Sequence, residues 1–192
     1  AADSGLYLLP LSGLDISGSG AAEPADLAPG ALVEISYSGM ILESFPAQFG
    51  GAAALRVTGR EPNLPDLYLA VLRDLYAVDP GLNDGVSMLA FELSQASNLS
   101  AAEQSALLYA AGYEFGLETV SAGFEQLVEQ GLIDSEQLYF ASGLLIAFEV
   151  GDQQADSFTF SASKWRGGLG AYFFVDCLAR LKGYDWSYAI GQ

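Results

Sequence analysis

The residues best suited to chemistry form one short segment, Lys164-Trp165-Arg166, followed by the glycine-rich run Gly167-Gly168-Leu169-Gly170. Two of the seven cations flank a tryptophan here, and cationic and aromatic groups together in a loop are suited to holding an anionic or sugar-like ligand. The alternative is structural, with Lys164 and Arg166 paired to neighbouring acids and Trp165 covering the core. The glycines are not a dinucleotide fingerprint, because no strand–loop–helix unit surrounds them. The predicted ligand-binding residues are Lys164, Trp165, Arg166 and Trp186.

Carboxylate pairs are the one catalytic option that the sequence leaves open. Glycosidases need two carboxyl groups about 5–10 Å apart across a cleft. With 24 acidic residues such pairs arise by chance, so spacing alone identifies none. Glu43 stands out because Leu42 and Phe45 flank it, but the pattern favours a solvated carboxylate at a strand edge. No catalytic residue is assigned.

A calcium loop is the metal site to consider, at Asp79–Gly85. Oxygen side chains stand at loop positions 1, 5 and 6 (Asp79, Asn83, Asp84), and position 12 is Ala90. Calcium loops of the EF type use positions 1, 3 and 5 and a glutamate at position 12. The pattern instead favours a turn that ends a helix. The chain has no histidine, which excludes Ser–His and Cys–His pairs and histidine metal sites, so no metal and no cofactor are predicted.

The charge is strongly negative, with 24 Asp and Glu against 7 Lys and Arg and a net charge of −17. Nucleic acids and anionic membrane surfaces are excluded as partners, because binding phosphate needs many cations. Cationic partners are allowed, although acidity can also serve solubility alone. No apolar run reaches the roughly 18 residues of a membrane-spanning helix, so no transmembrane segment is predicted.

The first part of the chain predicts a small β unit over residues 1–60. Alternation indicates a strand over Ala31–Tyr37. Ser38-Gly39 suits a tight turn, and Met40–Phe45 reads as the returning strand of a hairpin. Ala52–Val57 adds a further strand.

Three helices are predicted next. Asn63 caps the first, Pro65 fits its first turn, and Asp79-Pro80-Gly81 ends it. Ser100-Ala101-Ala102-Glu103 is a capping box that opens the second. Gly131 closes the third in the left-handed conformation.

The rest of the chain alternates with a period of two and predicts short strands. One strand, Val86–Leu93, lies between the first two helices. The others are Leu138–Phe140, Leu144–Val150, Ser157–Ser163, Tyr172–Leu178 and Trp186–Ile190. In the fourth of these, Phe173, Val175 and Cys177 share one side, so Cys177 is predicted to be a small buried apolar residue. The fold prediction is α+β, with residues 61–192 forming three helices packed on a C-terminal antiparallel meander.

Two stretches of this sequence resemble uncharacterised secreted proteins and lipoproteins of Gram-positive bacteria. The first is similar to YobA-like, OB-like β modules and comprises Leu27-Ala28-Pro29-Gly30, Val33–Gly39 and Leu42–Gln48. It departs at Ala31, where that pattern commonly has Asp. The second is similar to C-terminal segments of related exported proteins and comprises Ser163–Phe174 with Asp176, and Trp186-Ser187-Tyr188. The resemblance implies export, as a secreted protein or one anchored by a lipid on a cysteine upstream of Ala1, and it implies no activity.

Two functional hypotheses follow. The first is a non-catalytic extracytoplasmic module that binds another protein or a cell-wall component, since most catalytic side chains are missing. The second is a carboxylate-based hydrolase acting on glycans, which requires two facing acids, at least one of them in an apolar setting.

Overall fold

The computed structural model describes residues 5–191 and shows a mixed α+β protein with three α-helices. The chain divides into two compact units. The first comprises the chain up to Asn63 together with Gly183–Asp185, and the second comprises Leu64–Lys182 and the residues from Trp186 onward.

The first unit consists of two three-stranded sheets. Its strands are β1 (Tyr7–Leu8), β2 (Asp15–Ser17), β3 (Ala31–Ser36), β4 (Met40–Leu42), β5 (Ala47–Gly50) and β6 (Ala54–Arg60). One sheet has the order β1-β5-β4 and the other has the order β2-β6-β3. Ile16, Leu55 and Val57 form the buried core of this unit.

The hairpin predicted between residues 31–37 and 40–45 is wrong. β3 pairs with β6, whereas β4 pairs with β5, so the two strands lie in different sheets. The ring centre of Phe49 on β5 lies 5.1 Å from that of Tyr7 on β1 and 5.0 Å from that of Tyr37, which follows β3 and is not part of the sheet of β5. The turn at Gly39 (φ +88°) therefore carries the chain from one sheet to the other.

The helices of the second unit are α1 (Leu64–Ala77), α2 (Ala101–Phe115) and α3 (Phe124–Glu129). The capping box at α2 is confirmed, since Ser100 Oγ accepts from the Glu103 amide and the Glu103 carboxylate accepts from the Ser100 amide at 2.8 Å. The end of α3 is also as predicted, with Gly131 at φ +71°. Across residues 5–191, no helix has both the length and the apolar character needed to span a membrane.

Six strands of the second part of the chain form a mixed sheet. They are β7 (Met88–Glu92), β8 (Glu118–Ser121), β9 (Gly143–Gln153), β10 (Ser157–Gly167), β11 (Gly170–Lys182) and β12 (Asp185–Ala189). The sheet order is β12-β11-β10-β9-β7-β8. β9, β10 and β11 run antiparallel, but β7 is parallel to both β9 and β8. The antiparallel prediction thus holds for only part of the sheet, because α2 and α3 return the chain to start β8 and β9 in the direction of β7.

The segment Leu138–Phe140 is not a strand of this sheet. Tyr139 makes only isolated bridges, to Asp134 and to Gly167. This short apolar stretch lies in the connection between α3 and β9, where Phe140 is fully buried.

The two faces of the sheet are covered differently. Helices α1 and α2 pack on one face and enclose the main core, whose fully buried members include Tyr68, Phe91 and Phe148. Helix α3 and the segment after it cover one end of the opposite face, around Leu127 and Phe140. The remainder of that opposite face stays open to water.

A bulge in β11 reverses the predicted alternation of its side chains. Asp176 has φ +51°, and the pairing with β10 shifts between Phe160 and Ala162. As a result Phe174 and Cys177 are both buried on the helical face, whereas Val175 is exposed. Cys177 is buried as predicted. It shares the buried face with Phe174, whereas simple alternation along the strand places it beside Phe173 and Val175.

An ion pair joins the exposed sides of α1 and α2. Arg73 donates two hydrogen bonds to the Glu114 carboxylate, at 2.5 and 2.7 Å. The hydrogen bond from Arg73 lowers the pKa of Glu114, although partial burial opposes that shift. A group with a lowered pKa in the folded state stabilises the fold at neutral pH, and that stabilisation disappears as the pH falls through the lowered pKa.

We therefore predict that Glu114→Gln destabilises the protein at neutral pH by less than about 1 kcal/mol, because the pair is solvent-accessible. The difference between native and variant should close in acid, once the pH has fallen through the lowered pKa of Glu114 and its carboxylate is protonated. Urea unfolding at several pH values measures both effects. Glu129→Gln, at an exposed position of α3, is the control and should show neither. A gap that persisted in acid would contradict the ion-pair explanation.

Candidate functional site

Lys164 is fully buried on the helical face of β10, and its ammonium group lies in a cage of oxygen atoms. The cage is formed at the end of α1 and in the turn that follows. Lys164 Nζ donates to the main-chain oxygens of Tyr76 (3.2 Å), Val78 and Asp79 (3.2 Å), and to Asn83 Oδ1 (3.1 Å).

The cage exists because the last carbonyl groups of a helix have no partner within the helix. Those groups also carry the negative end of the helix dipole, which favours a cation. Burial lowers the pKa of Lys164, and the charge of Asp79 opposes that shift. The side chain thus supplies hydrogen bonds that water would otherwise provide to α1.

Arg166 acts in the same way two residues further along β10. Its Nη1 donates to the main-chain oxygens of Leu82 (2.7 Å) and Asp84 (2.6 Å), and its Nη2 donates to that of Ala141 (3.1 Å). The guanidinium lies 5.7 Å from the centre of the Tyr139 ring. Arg166 therefore ties the turn after α1 to the segment that precedes β9.

Two segments considered separately in the sequence thus form one structure. The segment 79–85 contains the short 3-10 helix Pro80–Asn83, in agreement with the predicted helix-ending turn. Oxygen atoms of this turn bind a cation, but the cation is the ammonium of Lys164 rather than a metal. Main-chain carbonyls, and not the neighbouring acids, are the main partners of Lys164 and Arg166.

The two tryptophans lie on opposite faces of the sheet. Trp165 packs edge-on against Phe124 of α3, with ring centres 5.4 Å apart. Trp186 packs edge-on against Phe158 in the main core at 5.2 Å, and its indole N–H has no hydrogen-bond partner within residues 5–191. The structure therefore does not bring the four predicted ligand-binding residues together into one surface site.

Arg166 does reach an open recess, which we call the hairpin recess. Its volume is about 320 Å³, and it is lined by Leu82, Gln137, Leu138, Tyr139, Arg166 and the glycine-rich turn 167–170. Leu169 is fully exposed at the tip of that turn, and Leu138 and Tyr139 are nearly half exposed. None of these three apolar residues is among the predicted ligand-binding residues, although a leucine between glycines in a hairpin turn is a visible indication.

A second opening, the strand-end crevice, lies at the carboxyl ends of β7 and β8 and has a volume of about 350 Å³. Its polar lining consists of Glu92, Ser94, Ser97, Gln104, Ser121 and Gln126. Three of these residues precede α2, one (Gln104) lies on it and two follow it, so their proximity could not be predicted without the parallel pairing of β7 and β8.

A shallower sheet depression, of about 140 Å³, lies on the open face of the sheet. Glu149 and Asp176 both line it, with Thr159 and Ser161 between them on β10. Glu43, the acid that stood out in the sequence, is exposed on the first unit and lines none of these three openings.

Comparison with known proteins gives no match: no family model, no curated protein and no solved structure matches this chain. Functional inference therefore rests on the geometry of the openings described above.

The cage makes a testable prediction about stability. Lys164→Met keeps the apolar length of the side chain but leaves buried carbonyl groups without a donor. We expect the second unit to lose about 2–3 kcal/mol of unfolding free energy. Trp165 and Trp186, both in that unit, report its unfolding by fluorescence in urea.

The matched control is Lys182→Met, because Lys182 is exposed at the end of β11. It should change the unfolding free energy by less than about 0.5 kcal/mol. Equal effects of the two substitutions would show that the cage does not stabilise the fold.

Proposed function

We propose that this chain is a non-catalytic extracytoplasmic module that binds another protein through the hairpin recess. The observation that carries the proposal is the exposure of Leu169 at the rim of an open recess, beside Leu138 and Tyr139. Apolar side chains grouped around a recess are typical of protein-binding surfaces, because their contact with water is costly until a partner covers them.

The recess is held in shape before any partner arrives. The Gly168 amide donates to the Leu138 carbonyl at 2.9 Å, and the Phe140 amide donates to the Arg166 carbonyl at 2.8 Å. Leu82 packs closely against Gly170, because a Cβ there would lie 2.8 Å from Leu82 Cδ2 and would require this side chain to shift. A preformed surface loses little conformational entropy on binding, which favours affinity.

The chemistry of the recess favours an apolar side chain of a protein. The Arg166 guanidinium already donates three of its five N–H groups to carbonyl oxygens, and its Nε–H is buried, so this cation is held mainly by the protein itself. An aliphatic or aromatic residue of a partner could pack between Leu138, Tyr139 and Leu169. A cell-wall component is the other class of partner that the sequence allows, and the experiment below distinguishes the two.

Three parts of the proposal rest on the sequence resemblance alone. They are the location outside the cytoplasm, the form it takes (a secreted protein or a lipid-anchored one), and the OB-like relationship of the first unit. The first unit has two three-stranded sheets, and its buried core residues belong to the sheet β2-β6-β3. The OB-like relationship itself remains a prediction.

The experiment is site-specific photo-crosslinking. A photoreactive phenylalanine analogue replaces Leu169, and the protein is irradiated with the cell-envelope fraction of the source organism. We expect a discrete protein adduct that excess native protein suppresses. Excess Leu169→Ser protein should not suppress it, because that variant lacks the apolar contact.

The matched control carries the same analogue at Tyr113, which is 85% exposed on α2. It should give no discrete adduct. Adducts of equal yield at both positions would contradict the proposal. An adduct that wall-degrading enzymes convert to small fragments would identify a wall component in place of a protein.

The second candidate function is a carboxylate-based glycan hydrolase, and the sheet depression is the observation that favours it. Glu149 pairs with Ser161 across β9 and β10, and Asp176 lies in the bulge of β11 opposite Ser161. Strands are about 4.8 Å apart, so the two Cα atoms are roughly 10 Å apart across three strands. Inverting glycosidases separate their carboxyl groups by about 6.5–9.5 Å. Both side chains are exposed, however, whereas the hydrolase hypothesis requires at least one acid in an apolar setting.

We therefore predict that the native protein releases no reducing ends from peptidoglycan or from soluble oligosaccharides. Glu149→Gln and Asp176→Asn should behave as the native protein does. Release of reducing ends by the native protein, abolished by either substitution, would replace the binding proposal with the hydrolase.

A further inference from the structure

The strand-end crevice lies where two consecutive connections of the chain pass over opposite faces of the sheet. The connection from β7 to β8 runs through α2 on one face, and the connection from β8 to β9 runs through α3 on the other. The segments that leave β7 and β8 therefore diverge and leave a crevice outside the carboxyl ends of the strands. Open α/β sheets bind ligands at this position, because main-chain and side-chain polar groups converge there.

Glu92 is the only charged residue among the described residues that line the crevice. Its Oε1 accepts from the Ser94 amide at 3.1 Å. Its Oε2 accepts no hydrogen bond within residues 5–191 and lies against Gly123, where a Cβ would be 1.8 Å from this oxygen. Glycine at position 123 is thus required by the position of the carboxylate rather than by its own backbone angles.

The remaining polar groups are neutral. The side chains of Ser97, Gln104 and Gln126 already hydrogen bond within the protein. The hydroxyl groups of Ser94 and Ser121 make no hydrogen bond within the described residues, so they are available to a ligand. Apolar side chains, including Phe91 and Leu99, form the rest of the wall.

The carboxylate, the two hydroxyl groups and the apolar wall of the crevice together select a ligand by its charge and its size. A carboxylate with one unused oxygen and no competing cation favours an ammonium group, whose three donors suit oxygen acceptors. Two available hydroxyls suit a ligand that carries hydroxyl or amide groups of its own. A volume of about 350 Å³ is at the small end of ligand pockets and suits a group of the size of one sugar or one amino acid. The net charge of −17 adds a long-range attraction for cations.

We infer that the strand-end crevice binds a small primary ammonium compound that carries hydroxyl or amide groups, with the ammonium on Glu92 Oε2. This site is separate from the hairpin recess and adds a small-molecule ligand to the proposed protein partner.

The experiment compares two probes that share a ring but differ in charge. Glucosamine carries a free ammonium group at slightly acidic pH, whereas N-acetylglucosamine is neutral. Binding is followed by amide chemical shifts of Ser94, Ser121 and Gly123 in the native protein. We expect glucosamine to shift these amides and to bind at least about tenfold more tightly than the neutral probe, because only it forms the charge-assisted contact.

Two variants test the role of the carboxylate. Glu92→Gln keeps the shape and removes the charge, and Gly123→Ala keeps the charge but displaces the carboxylate through the added Cβ. Each should weaken glucosamine binding by at least about tenfold. Glu118→Gln, exposed at the opposite end of β8, removes the same charge and should change binding less than about twofold.

The native protein alone can overturn the inference, even if a variant fails to fold. Equal binding of the two probes, or no shift with glucosamine, would show that the crevice does not select an ammonium group. Unchanged glucosamine binding by folded Glu92→Gln would do the same. None of these results bears on the Leu169 adduct, which Glu92→Gln should leave intact.

Discussion

The organisation of the second unit depends on one buried cation. The ammonium of Lys164 replaces water at the carbonyl end of α1, and it does so from the middle of a strand. A helix whose last carbonyls point into a protein must find donors there, since unsatisfied buried carbonyls are costly. Lys164 thereby fixes α1 against β10, and Arg166 fixes the following turn against the start of β9. Both proposed binding sites lie on this framework, since the hairpin recess surrounds Arg166 and the crevice uses the sheet that α1 covers.

Local chemistry in the sequence was sufficient to predict the helices. The reciprocal bonds of Ser100 and Glu103 are a property of four consecutive residues, so no tertiary information was needed. The sheet was harder, because pairing partners are distant along the chain. Nothing in Met88–Glu92 shows that Glu118–Ser121 lies parallel beside it. The bulge at Asp176 is harder still, since one inserted residue exchanges the faces of all the side chains that follow it.

The difference between local chemistry and contacts of distant residues also explains why the predicted ligand-binding residues did not form one site. Lys164, Trp165 and Arg166 were conspicuous as side chains, but the groups that hold the two cations are mostly main-chain oxygens, which every residue has. With 24 acids in the chain, ion pairs were the natural expectation for these cations. The crevice was invisible for another reason: Glu92, Ser94 and Ser121 are ordinary residues until the crossover through α2 brings them together.

The position of Lys164 also alters the electric field that the molecule presents to its surroundings. Formal charge counts a buried lysine and an exposed one equally, yet Lys164 is out of contact with water and is wrapped in carbonyl dipoles whose negative ends point at it. Lys164 therefore offers no ammonium group to molecules in solution, although its charge still counts in the net charge of −17. The ionisable groups that a diffusing molecule meets at the surface are more one-sidedly acidic than the count of 24 acids against seven cations indicates. Capture of cations from solution would accordingly be fast at low ionic strength and would slow markedly as added salt screens the surface.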